Sequence, residues 1–145
     1  MSKELIMHMI TTAKNLSPFD VNMAIDAGWE KCVPYTNIAS DEVSGLVQDA
    51  IFSRPPGLNK TGIFFGGRDP HIAIEMLNIC KGSLVEPFTL SAFADPSGAF
   101  TTAAGMVAKV ENALKSKFNE SLIGQKIVVF GGTGPVGSVS YTHLR

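Results

Sequence analysis

The feature that most constrains the fold is a regular alternation of short apolar runs with helix-length segments whose starts are marked by capping residues and prolines. Leu5-Ile6-Met7 reads as a first strand. Ser17-Pro18 then opens a helix, with Ser at the N-cap, Pro at the first helical position and Asp20 in the first turn. Val21, Ala24 and Ile25 share one face, and Gly28 ends the helix. Lys31 to Tyr35 reads as a second strand, weakened by Pro34. Ser40 is placed to cap the next helix, with Asp41 and Glu42 at its positive end. Its apolar face is Val43, Leu46, Val47 and Ala50. Arg54 to Lys60 carries two prolines and a glycine and reads as a loop. Thr61 to Phe65 is a strand ending in Gly66-Gly67. Asp69-Pro70 starts a third helix, which Lys81-Gly82 stops. Phe88 to Phe93 is a further strand, Ala94 to Gly98 a turn, and Ala99 to Lys117 a long helix with Ala103, Met106, Val107, Val110 and Leu114 on one stripe. Lys126 to Phe130 is a last strand, entering a glycine loop.

Such alternation predicts an α/β fold: an N-terminal, mostly parallel sheet with flanking helices. Ligands of these sheets sit at the carboxyl ends of the strands. The rule singles out Tyr35-Thr36-Asn37, Phe64-Phe65-Gly66-Gly67, Phe93-Ala94-Asp95 and the Gly131 to Gly137 loop.

Gly132-Thr133-Gly134-Pro135-Val136-Gly137 fits G-x-G-x-x-G directly after the apolar run Lys126 to Phe130. Dinucleotide binding needs this spacing. The first glycine makes the tight turn, the second lets the backbone approach a pyrophosphate, and the third lets helix pack on strand. The helix N-terminus adds donors and positive potential. The strand and loop therefore read as the first strand and glycine loop of a truncated Rossmann domain, with an ordinary strand-to-helix turn as the alternative. A P-loop is rejected, because Ser138 stands where a lysine is required. The residue that separates NAD from NADP lies about 20 positions further on, past Arg145, so either cofactor fits. Val139, Tyr141 and Thr142 are poor helix formers, and residues 138–145 read as a foreign or mis-read tail.

Composition excludes several classes. Twelve basic and thirteen acidic residues leave a net charge of −1, without the basic stripe of a nucleic-acid binder. No apolar run of about 18 residues suggests a membrane span, and the N-terminus does not read as a signal peptide. Cys32 and Cys80 form no CxxC or disulfide framework, which points to a reduced, cytoplasmic setting. His8, His71 and His143 have no ligand spacing, so no metal site is expected. No Ser-His-Asp arrangement can be argued.

Taken together the segments resemble the methylene-tetrahydromethanopterin dehydrogenases of methylotrophic bacteria, especially the branch that accepts NAD as well as NADP. The resemblance rests on Ser17-Pro18-Phe19-Asp20-Val21-Asn22-Met23-Ala24, Val33-Pro34-Tyr35-Thr36-Asn37 and Gln48-Asp49-Ala50-Ile51-Phe52-Ser53-Arg54. It continues through Thr61 to Gly67, through Phe93-Ala94-Asp95-Pro96-Ser97-Gly98-Ala99-Phe100-Thr101-Thr102-Ala103-Ala104, and into Phe130-Gly131-Gly132-Thr133-Gly134. It covers nearly all of residues 3–137.

The resemblance implies an N-terminal α/β domain, a Rossmann domain, and an oligomer of the whole protein. It divides the chain into a pterin-binding domain at 1–115, the start of a NAD(P)-binding domain at 116–137, and the tail at 138–145. A piece of this extent is expected to be inactive alone. The implied reaction passes a hydride from the methylene carbon of the reduced pterin to the nicotinamide, leaving a methenyl cation over N–C–N. No general base is required, so the protein's work is alignment and electrostatics.

A carboxylate near the site would stabilise that cation. Asp95, at a strand's carboxyl end, is the first candidate and Asp20 the second. Their alternatives are a turn aspartate and a helix-start charge. Tyr35, Asn37, Phe65, Gly66, Gly67, Phe100, Thr101 and Thr102 are the candidates to bind the pterin. For the aromatic residues, Phe93 included, core packing is the heavier alternative. Residues Gly132, Thr133, Gly134, Pro135, Val136 and Gly137 are the cofactor candidates. Two other readings stay open: methylene-tetrahydrofolate dehydrogenation, and a non-catalytic α/β binding module.

Overall fold

The computed structural model describes residues 4–54 and 57–144. The chain forms two compact units, Met1–Ser97 and Gly98–Arg145.

The first unit is a four-stranded, all-parallel sheet in the order β2-β1-β3-β4. The strands are β1 (Ile6–Ile10), β2 (Lys31–Tyr35), β3 (Thr61–Phe65) and β4 (Ser91–Ala94). Between them run α1 (Pro18–Asp26), α2 (Val43–Phe52) and α3 (Pro70–Ser83). Strand side chains alternate between faces. Ile10, Ile63 and Phe65 pack against Val43 and Val47 of α2 and Ala73 and Met76 of α3. Met7, Met9 and Phe64 face the other way, onto Ala24 of α1 and Trp29. Helices on both faces explain why every residue of β3, Thr-Gly-Ile-Phe-Phe, is buried. Each large apolar side chain so buried stabilises the unit by about 1.5–3 kcal/mol.

The proline-marked helix starts hold. Pro18 and Pro70 are first helical residues. Asp69 caps α3: its Oδ1 accepts hydrogen bonds from the backbone N–H of His71 at 2.8 Å and of Ile72 at 3.2 Å. Ser17 sits at the N-cap of α1 without a side-chain bond. Ser40 does not cap α2, contrary to expectation. It begins a 3-10 turn, Ser40–Glu42, and the reaching-back bond comes from Glu42, whose Oε2 accepts from Ala39 N–H at 2.8 Å.

The fourth strand also differs from expectation. Phe88 N–H donates to Val85 O at 2.6 Å, so Phe88 closes a turn. Pairing with β3 begins only at Ser91, opposite Gly62.

The second unit contains α4 (Ala99–Ala113), continued by a π turn at Leu114–Phe118, and α5 (Pro135–His143). Ala99, Ala103 and Val139 form its buried contact, with Phe100 and Val136 packed on it. Residues 138–143 are thus helical, against the propensity argument. Tertiary packing of Val139 and the proline at the first position outweigh a few tenths of a kcal/mol per residue.

The expected strand at Lys126–Phe130 does not form. Its residues pair with no strand among the described residues, and Val128 and Phe130 are 77% and 94% exposed. A parallel strand exists only through hydrogen bonds to neighbours, and this unit supplies none. Ile127 to Phe130 instead line an apolar pocket of 180 Å³ with Met106, Val110 and Leu144. The stripe read from the sequence is therefore half-realised: Ala103 is buried, while Met106 and Val110 stay exposed.

No described helix is long and apolar enough to cross a membrane.

Candidate functional site

Parallel strands put all their carboxyl ends on one edge, and the register makes that edge level. Ile10 stands opposite both Tyr35 and Phe65, and Phe65 opposite Ala94. The ladder continues one residue further. Thr11 N–H donates to Tyr35 O at 2.9 Å, Gly66 N–H to Ile10 O at 3.0 Å, and Asp95 N–H to Phe65 O at 3.3 Å. Thr11, Gly66 and Asp95 consequently form a row just beyond the sheet.

Asp20 joins this row from α1. Its side chain is 7% exposed, and its Oδ2 lies 3.0 Å from where a β-carbon on Gly66 would stand. Burial pushes its carboxyl up to about 6, and the nearby Asp95 carboxylate adds to the rise. The two carboxyl groups singled out from the sequence are thus within electrostatic reach of each other. At neutral pH they hold negative potential at the strand edge, in a place where water screens it poorly.

The loops around them are fixed by conformation and hydrogen bonds. Gly67 has φ 123, and a β-carbon there would meet Thr11 Oγ1 at 3.2 Å, so this turn requires glycine. Ser97 Oγ donates to Gly67 O at 2.9 Å. Thr11 Oγ1 accepts from Ala13 N–H at 3.1 Å. Asn37, in the left-handed region at φ 56, is held by its N–H to Ala13 O at 3.0 Å.

The remaining candidates divide. Gly66, Gly67 and Asn37 lie at the edge with Asp20 and Asp95. Phe65 is fully buried between β3 and the α2–α3 layer, which is the core alternative weighed for it. Phe93 is half-exposed, 5.1 Å from the Phe64 ring. Tyr35 turns to the α2 side, where its hydroxyl is 3.1 Å from His8 Nδ1. There it lines a 360 Å³ pocket with His8, Asp49 and Ser53. Burial, then the Arg54 charge, lowers the His8 pKa. No group of three His, Cys, Asp or Glu residues placed to hold a metal occurs among the described residues.

In the second unit Phe100 packs on the α4–α5 contact, and Thr101 and Thr102 are exposed in the first turn of α4. The glycine loop turns tightly: Gly134 N–H donates to Gly131 O at 2.9 Å, and α5 starts at Pro135. Gly137 carries the steric demand. A β-carbon there would run into Gly131 O and stand 2.7 Å from Gly131 C. The left-handed glycine is Gly131, at φ 72, one place before the motif read from the sequence. Thr133 is exposed on the loop, and Val136 is half-buried beside Gly137.

Sequence reasoning missed Thr11 and Ser97. Thr11 was reachable: had the first strand been drawn through Ile10, the strand-end rule would have included it. Ser97 had no signal of its own, because its backbone geometry and its bond to Gly67 exist only in the folded chain.

Comparison with known proteins agrees with the residue-level resemblance. A family model described as methylene-tetrahydromethanopterin dehydrogenase, N-terminal, matches residues 18–97. The chain is 51% identical over 137 residues to an NAD(P)-dependent methylenetetrahydromethanopterin dehydrogenase of Methylorubrum extorquens, covering 93% of this chain and 46% of that protein. It is 37% identical over 135 residues to the bifunctional protein MdtA of the same organism, covering 92% of this chain and 45% of that one. The chain thus spans about half the length of the curated relatives it matches.

Proposed function

The chain belongs to the methylene-tetrahydromethanopterin dehydrogenase family, and on that premise we propose that the whole protein oxidises the methylene group of methylene-tetrahydromethanopterin with NAD or NADP. The observation that carries the proposal is the Asp20–Asp95 pair beside Gly66 at the carboxyl edge of the sheet. The methylene carbon gives up a hydride, that is, both electrons of one C–H bond. The carbon left behind is a methenyl cation shared between two nitrogens, and no proton moves. Negative charge held beside that carbon favours the product and the transition state leading to it.

In this reading the ionised carboxylates of Asp20 and Asp95 supply the charge. Gly66, Gly67 and Asn37 shape the pterin site, with backbone close enough for a flat ring to approach. Tyr35 is a further contact of the first unit, and Phe100, Thr101 and Thr102 are substrate candidates of the second. Phe65 contributes only through its backbone, since its ring is in the core.

In this reading the second unit takes the dinucleotide. The start of α5 offers backbone N–H groups, and the bare backbone of Gly137 lets the helix start sit directly against the Gly131 carbonyl, which no β-carbon would permit. Gly132, Thr133, Gly134, Pro135, Val136 and Gly137 would hold the pyrophosphate, and the nicotinamide, when bound, accepts the hydride. We assign residues 116–137 to the start of a Rossmann domain. The protein is read as a cytoplasmic enzyme of one-carbon metabolism, homo-oligomeric when complete.

The test follows reduced-nicotinamide absorbance with the complete protein. Methylene-tetrahydromethanopterin and methylene-tetrahydrofolate are each supplied with NAD and with NADP. Turnover with the methanopterin carrier is the expected result. Turnover with folate alone would move the assignment to the other carrier, and silence in all four assays would withdraw it.

A further inference from the structure

The backbone rung that leads into the loop after β4 is longer than the two beside it. The rungs that place Thr11 and Gly66 measure 2.9 and 3.0 Å, but the rung that places Asp95 measures 3.3 Å. Two residues on, Ser97 adopts φ 53 and ψ 28, a left-handed conformation that disfavours any residue with a β-carbon. Such a residue persists where its surroundings hold it. Here the surroundings are visible: Pro96 before it is fully buried, and Ser97 Oγ donates to Gly67 O at 2.9 Å. Gly67 is itself confined, with φ 123 and Thr11 Oγ1 beneath it.

We propose that Ser97 is a positioning residue, tying the loop after β4 to the loop after β3 so that Asp95 keeps its place beside Asp20. The inference rests on the reading of Asp20 and Asp95 as the charge-bearing pair. Gly67 follows Gly66, whose Cα faces the Asp20 carboxylate, and Ser97 follows Asp95 by two residues. One hydrogen bond therefore ties the loop that carries Asp95 to the loop whose Gly66 packs against Asp20 of α1. Without it the loop after β4 loses its tie to Gly67, and the left-handed turn at Ser97 loses its anchor. Asp95 is the charged group that bears on Asp20, so Asp20 reports on where Asp95 stands.

Two variants separate the hydrogen bond from the backbone conformation. Ser97→Ala removes the bond and keeps the β-carbon in the disfavoured region. Ser97→Gly removes the bond and relieves the conformation, so it folds even if the alanine variant does not. Carbon-13 carboxyl NMR of Asp20 in the full 145-residue chain is followed through a pH titration. In both variants the Asp20 midpoint is expected to fall toward the ordinary carboxylate range, although Ser97→Gly melts at or above the wild-type temperature. In the complete enzyme both variants are expected to lose about tenfold in kcat/KM, as displaced catalytic groups do. A wild-type Asp20 midpoint in Ser97→Gly would overturn the proposal, as would wild-type turnover of that variant in an active enzyme. If the wild-type enzyme shows no turnover at all, the reaction assignment fails, while the Asp20 titration still decides the role of Ser97.

Discussion

Asp20 and Gly66 meet through the space that glycine leaves: a β-carbon on Gly66 would stand 3.0 Å from Asp20 Oδ2 and 2.8 Å from Phe64 Cε1. The acid of α1 and the backbone after β3 are neighbours because residue 66 has no side chain. Gly66→Ala must therefore displace the carboxylate, the ring or the strand end. We expect a loss of about 1–3 kcal/mol from such overpacking, measured by urea denaturation, and a larger proportional loss in turnover of the complete enzyme than in substrate affinity.

Asp20 also sets a pH dependence, with a definite sign. Its folded-state pKa is about 6, against an ordinary value of 3.8. Between those values the folded chain holds a proton that the unfolded chain lacks, so stability falls as pH rises through that window. Above it the buried charge is a constant cost, and below it the cost is absent. Asp20→Asn removes the dependence. At pH 8 the variant is expected to be more stable than the wild type by on the order of 1 kcal/mol, a gain that closes below pH about 4. The same variant should lose about a hundredfold in kcat, and wild-type kcat/KM should rise with pH through about 6. Denaturation and rate profiles across pH check both halves, and a D20N enzyme with wild-type kcat contradicts the role given to the charge.

Asp69 secures the start of α3 with two backbone hydrogen bonds to one oxygen. Asp69→Ala should cost about 1 kcal/mol, and Asp69→Asn much less, since an amide oxygen accepts the same bonds. Thermal melts of the two variants give the comparison. Equal losses would mean that the negative charge at the helix start matters more than the cap.

Gly137 allows no substitution without moving backbone, because the obstacle is the Gly131 carbonyl rather than a flexible side chain. Gly137→Ala is expected to raise KM for NAD(P) at least about tenfold in the complete enzyme, with the pterin KM unchanged. Nicotinamide and pterin titrations tell these apart.

The exposed Val128 and Phe130 side chains leave an apolar surface on the second unit. Val128→Lys with Phe130→Lys is expected to raise the solubility of the 145-residue chain. The denaturation midpoint of the sheet unit should not move. Light scattering and denaturation of the same sample test both statements.

Much of this architecture is legible residue by residue. Ser17-Pro18 and Asp69-Pro70 mark helix starts because proline fixes the first helical φ and aspartate offers an acceptor to free N–H groups. Thr61 to Phe65 reads as a strand because it is a short apolar run between a proline-rich loop and Gly66-Gly67, and the structure buries all five of its residues. The failures have physical causes too. Lys126 to Phe130 has the composition of a central strand, but composition does not supply hydrogen-bonding neighbours. Val139 and Tyr141 score poorly for helix, yet packing against Ala99 and Ala103 decides the matter. Asp20 and Asp95 were legible as strand-edge and helix-start acids. Their mutual proximity was not, since it arises from a register that only the assembled sheet defines. Nor was the turn of Tyr35 toward His8, which follows from its pairing opposite Ile10.

Among the described residues, every strand pairing of the sheet lies between Ile6 and Ala94. During synthesis, all four strands and the strand-edge acids therefore leave the ribosome before the Ile-Val-Val-Phe segment does. The front unit can consolidate as an independent folding step, in keeping with domain-wise folding of nascent chains. By then β1 and β3 each have both neighbours, so the later apolar segment cannot insert into the middle of the sheet. The order of elements along the chain thus protects the centre of the sheet from mispairing.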